Sequence, residues 1–116
     1  MKPAQIHSGD AERIDEIVLA IATKDHDRMA RIAALEILGE EHFWPYLDRM
    51  DVTFIAPPAD HLALASIFGD PKADEWIGID LPLWSKEEGR SDYTLTLDID
   101  LRSSPHRIVI KCPHIL

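Results

Sequence analysis

Cysteine is almost missing from this chain. The single Cys112 has no partner for an internal disulfide, and a lone thiol fits a reducing compartment. On a buried strand such a thiol behaves as a small hydrophobe unless its thiolate is stabilised. Glycine is scarce as well: five isolated residues leave no Gly-rich loop to cradle a phosphate chain. No serine stands in the Gly-x-Ser-x-Gly setting of a nucleophile elbow. The opening Met1 to Asp10 has no apolar run of the signal-peptide kind, and no stretch reaches the roughly 20 apolar residues of a membrane span. A cytoplasmic protein with no membrane association is therefore expected. Basic residues are outnumbered, 12 against 21 acidic, for a formal charge of −9. That balance argues against binding a nucleic-acid backbone. It suits either plain solubility or the steering of a basic protein partner.

What is present reads as one α+β domain over residues 1–116, since 116 residues are the usual size of a single domain. Ile14, Ile17, Val18, Ile21 and Ala22 recur at helical spacing, with Asp10 as the expected N-cap and an end near Thr23. Asp25-His26-Asp27 offers a second cap. Met29, Ile32, Ala33 and Ile37 then continue the period toward a stop at Gly39. Pro45 is tolerated only in a first turn, so a short helix is expected from Pro45 to Arg49, entered through His42-Phe43-Trp44. Val52 to Ile55 reads as a short strand. Asp60 is placed to cap a helix from His61 to Phe68, although Leu62, Leu64 and Ser66 also fit alternation.

From Trp76 onward the period changes to two. Ile77, Ile79, Leu81 and Leu83 form one apolar row, Tyr93 to Leu101 a second, and His106 to Cys112 a third. Short polar connections make a three-stranded antiparallel meander the simplest topology. Helices first and strands last is the α+β pattern, with the N-terminal helices packed on one face of a curved antiparallel sheet. The four-residue connection Arg102 to Pro105 sets Ile99 opposite Ile108, Leu97 opposite Ile110 and Leu95 opposite Cys112. The preceding hairpin sets Leu83 opposite Tyr93, Leu81 opposite Leu95 and Ile79 opposite Leu97.

The run Leu83-Trp84-Ser85-Lys86-Glu87-Glu88-Gly89-Arg90-Ser91-Asp92-Tyr93 resembles a hairpin found in a family of short, uncharacterised bacterial proteins. The closing Pro113-His114-Ile115-Leu116 is similar to that family's short terminal strand. Helices followed by such a sheet, with a histidine near the last strand, are also similar to the nuclear-transport-factor-2-like cone. That second resemblance implies a fold used by isomerases and dehydratases, and also by proteins that only bind or assemble.

Candidate chemistry is sparse. The six histidines show no i, i+4 pair of the helical zinc type, so no metal site is expected, and no cofactor motif appears. Asp60 and His61, beside His42, Phe43, Trp44 and Tyr46, are the acid–base candidates, on the expectation that a cone-shaped fold brings them to its mouth. The bland reading has Asp60 capping a helix, His61 solvated, and Phe43 and Trp44 in the core. The outer sheet face is more informative: Asp80, Asp98 and Asp100 share it with Trp76 and Trp84, beside Arg107 and Lys111. Carboxylates and tryptophans together fit recognition of a basic protein. The expected function is thus a small acidic binding module, of the antitoxin or immunity kind, masking a basic partner. The alternatives are a cone-shaped small-ligand protein or proton-transfer enzyme using Asp60 or His61, and a homodimeric assembly domain.

Overall fold

A computed structural model describes residues 6–35, 39–111 and 114–115. The first apolar stripe forms α1 (Ser8–Thr23), with Ile14, Ile17, Val18 and Ile21 buried. Its N-cap position belongs to His7, whose side chain makes no capping bond. Asp10 is therefore not the cap; it lies in the first turn, only 1% exposed. Lys24 ends the helix in the left-handed region at φ 55°, and the Asp25 amide closes back onto the Ala20 carbonyl at 2.9 Å. Asp25 then caps α2 (His26–Ile32), its carboxylate accepting from the Arg28 amide at 3.1 Å.

The expected helix through Ile37 stops early. Ala33 is extended, and Ala34–Leu35 form β1; Ile37 lies outside the described residues. Gly39 opens a helix instead of closing one, since α3 spans Gly39–Asp48 with Pro45 inside it. Pro45 is exposed, on the side of the helix where the backbone hydrogen bond that a proline removes costs least. The helix has a reason to continue through it: Phe43, Trp44 and Leu47 are buried on its other side.

After β2 (Phe54–Ile55) the expected helix His61 to Phe68 is divided. A single 3-10 turn covers His61–Leu64, and Ser66–Phe68 form β3. The alternating signal prevailed because β3 can hydrogen-bond to the free edge of the next strand.

The meander is β4 (Trp76–Ser85), β5 (Gly89–Asp100) and β6 (Arg107–Ile110). The sheet order is β1-β6-β5-β4-β2; β3 also pairs with β4, and β7 (His114–Ile115) with β5. The pairings are antiparallel apart from β1 with β6, which run parallel. Ile99 faces Ile108, Leu97 faces Ile110, Ile79 faces Leu97 and Leu81 faces Leu95, as expected. Leu83 does not follow: the register shifts between Pro82 and Trp84, so that Pro82 meets Thr94 but Trp84 meets Arg90. Ser91 donates its hydroxyl proton to the Leu83 carbonyl at 2.8 Å, which satisfies a backbone acceptor that the bulge takes out of the ladder. The pairing of Leu95 with Cys112 lies outside the described residues.

Leu95, Leu97, Ile99, Ile108 and Ile110 are buried with the α1 stripe, while Ile32 and Leu35 are partly buried against that core. No helix of the described residues is long and apolar enough to cross a membrane.

Candidate functional site

The sheet presents one face to the helices and the other outward. Paired residues share a face, so the pairings Phe68–Gly78, Gly78–Asp98, Asp80–Thr96, Trp76–Asp100, Asp98–Val109 and Asp100–Arg107 map the outer one. Trp76, Asp80, Asp98 and Asp100 therefore come together as the alternation required. Trp84 lies further along the same side of β4, opposite Ile55.

Two aromatic side chains stand exposed there, with Ile55, also exposed, further along beside Trp84. Phe68 is 58% exposed and Trp76 is 39% exposed. Gly78 lies between Phe68 and Asp98: the place its β-carbon would take is 3.7 Å from Asp98 Oδ1 and 3.8 Å from Phe68 Cδ2, ordinary contact distances. A notch thus lies between an aromatic ring and a carboxylate. Phe68, the end of the helix expected from His61, comes to this face because β3 pairs with β4.

The carboxylates of this face already have partners. Asp80 accepts from the Thr96 hydroxyl at 2.7 Å, and Asp98 pairs with Lys111 at 3.3 Å. Asp100 receives Arg102 Nε at 3.1 Å and the Arg102 amide at 2.9 Å. Hydrogen bonds from the Arg102 side chain and amide hold the Asp100 carboxyl below its ordinary range, and the Arg102 guanidinium is correspondingly raised. The same guanidinium sits 5.5 Å from the Trp76 ring centroid and 3.4 Å from Glu75 Oε2. One aromatic face and two carboxylates thus form a seat for a guanidinium.

The acid–base candidates part company. Asp60 is exposed and makes no capping bond. His61 is not solvated but buried, 2% exposed, with Nε2 2.6 Å from Asp15 Oδ1 on α1. Its Nδ1 is buried without a partner. A buried lone pair costs less than a buried N–H, so the ring proton belongs on Nε2, donating to Asp15. Trp44 stacks instead on His26 of α2, with ring centroids 4.1 Å apart. His61 and the aromatic group of α3 therefore engage different helices.

Two features had no sequence signal. Asp10 Oδ2 accepts from His106 Nδ1 at 2.7 Å, and its other oxygen meets Arg13, which also donates to the His106 carbonyl. This cluster ties α1 to the entry of β6. Beside it, Arg13, Arg28, Arg31 and Arg107 line an open cleft of about 870 Å³ between α1, α2 and β6, with Glu16 and Asp25 as its acids. Arg28 and Arg31 share one face of α2 through their i, i+3 spacing, but nothing along the chain places Arg13 or Arg107 beside them.

Comparison with family models, curated proteins and solved structures finds no match for this chain. Among the described residues, no group of three or more His, Cys, Asp or Glu side chains is arranged to hold a metal ion.

Proposed function

We propose that this protein is a binding module for a basic protein partner, engaged by the outer face of the sheet. An immunity- or antitoxin-type protein that masks a cationic surface is its concrete form. The observation that carries the reading is the Arg102 guanidinium lodged between Trp76, Asp100 and Glu75. The chain itself displays there how an arginine is held on this face. Phe68 and the notch over Gly78 adjoin that seat, and Asp70 and Asp74 supply further exposed carboxylates in the loop between β3 and β4.

A partner's cations exchange with Arg102 and Lys111 like for like, so charge contributes orientation and association rate more than net affinity. Affinity then comes from covering Phe68 and Trp76, the aromatic anchors. A chain of net charge −9 repels a second copy of itself, which favours a basic partner over a homodimer on this face.

Calorimetry with an arginine-rich peptide tests the reading. Trp76→Ala is expected to weaken binding, and Asp98→Asn with Asp100→Asn to weaken it and flatten its salt dependence, while circular dichroism stays unchanged. Unaltered affinity and salt dependence in both variants would remove the outer face as the binding surface.

A further inference from the structure

The cleft between α1, α2 and β6 has the opposite sign to the rest of the molecule. Four arginines and two carboxylates line it, a local excess of two positive charges on a chain of net charge −9. Such an island is not what a general solubility charge produces. Its arginines differ in what already holds them. Arg13 is engaged by Asp10 and the His106 carbonyl. Arg28 faces Glu16 at 3.7 Å, a loose and half-exposed pair. Arg31 is exposed and has no hydrogen-bond or ion-pair partner among the described residues. Guanidinium groups are thus presented with donors to spare, on a frame fixed by the Asp10–His106 contact.

We infer that this cleft binds an oligophosphate, a small ligand carrying two or more linked phosphates. Guanidinium forks match phosphate oxygens two at a time, and arginines drawn from three elements need a ligand that spans them. A cleft of about 870 Å³ is larger than one phosphate requires and falls within the range of small-molecule sites. Apart from its charged groups the cleft is lined by the aliphatic Ala30, Ile32, Ala33, Pro105 and Ile108, which offer no platform on which a planar ring could stack. Its one aromatic ring, His106, is already met edge-on by His7 at 5.3 Å and bonded to Asp10. Dense negative charge is what the walls recognise. Arg107 lies at the border of the two sites, since it pairs with Asp100 on the outer face and also lines this cleft; Arg13, Arg28 and Arg31 belong to the cleft alone, and neither inference depends on the other.

The test is calorimetry of the intact protein with tripolyphosphate, orthophosphate and citrate as probes, at fixed ionic strength. Tripolyphosphate is expected to bind more tightly than orthophosphate, and citrate to bind weakly, although it carries more negative charge than orthophosphate. Arg28→Gln with Arg31→Gln should weaken tripolyphosphate about tenfold or more, since the loss of one charge-assisted bond is of that order. Lys72→Gln with Lys86→Gln removes equal charge elsewhere and should change affinity less than about twofold. Citrate binding as tightly as tripolyphosphate would overturn the assignment to phosphate. So would equal losses in the two double variants, or no heat of binding for tripolyphosphate at all. Each variant's melting curve establishes that it is folded before its affinity is read.

Discussion

Asp10 Oδ2 and His106 Nδ1 stand 2.7 Å apart although 96 residues separate them. That contact fastens the first turn of α1 to the residue entering β6, and Arg13 completes it from the other oxygen. A carboxylate 1% exposed is tolerable only because both of its oxygens are met by donors.

Asp10→Ala is therefore expected to destabilise the fold by about 3–5 kcal/mol, the cost of breaking a buried ionic contact from one side. Simple loss of a helix cap costs only ~1 kcal/mol. Urea unfolding distinguishes the two, and a loss at the lower figure would reduce Asp10 to a first-turn acid with no role in joining helix to sheet.

The registers of β5 with β4 and with β6 put Leu97 opposite both Ile79 and Ile110, fully buried. Leu97→Ala should cost about 2–5 kcal/mol. Its outer-face neighbour Thr96 is only half-buried, so Thr96→Ala should cost less. Equal costs in chemical denaturation would mean that the two faces of β5 are assigned the wrong way round.

Both oxygens of Glu87, in the turn between β4 and β5, lie 2.9 Å from the Thr53 amide. That backbone donor holds its carboxyl below the ordinary range. A folded-state value below the unfolded one contributes stability that is present above the unfolded value and is lost as pH falls through the folded one. Carboxyl-carbon NMR titration of Glu87 should therefore give a midpoint below that of a glutamate in a short unstructured peptide, and Glu87→Gln should remove this part of the acid sensitivity. A midpoint matching the peptide would show that the bond to Thr53 is not held in solution.

The meander was legible because period-two rows with one apolar face permit a single register; a slip by one residue turns Asp98 toward the core. It failed at Leu83, where a bulge follows no side-chain pattern that alternation can show. β1 was hidden because Met29, Ile32 and Ala33 extend a helical period up to a strand only two residues long. α3 was cut short on the strength of Pro45, whose exposed position depends on the packing of Phe43 and Trp44 behind it. The outer-face residues Trp76, Asp80, Trp84, Asp98 and Asp100 followed from alternation alone. Phe68, the Arg102 seat and the arginine cleft required tertiary neighbours that no spacing along the chain encodes.

The most direct test of the binding surface uses the three tryptophans as reporters in one NMR spectrum. Trp76 and Trp84 lie on the outer face, and Trp44 is buried against His26 and Phe43. On addition of an arginine-rich peptide, the Trp76 indole N–H resonance should shift most and that of Trp44 should stay in place. Arg102→Ala, which empties the seat on Trp76, should produce the same shift at lower peptide concentration. A spectrum in which Trp76 does not move, while backbone amides of exposed acidic residues elsewhere do, would contradict the account.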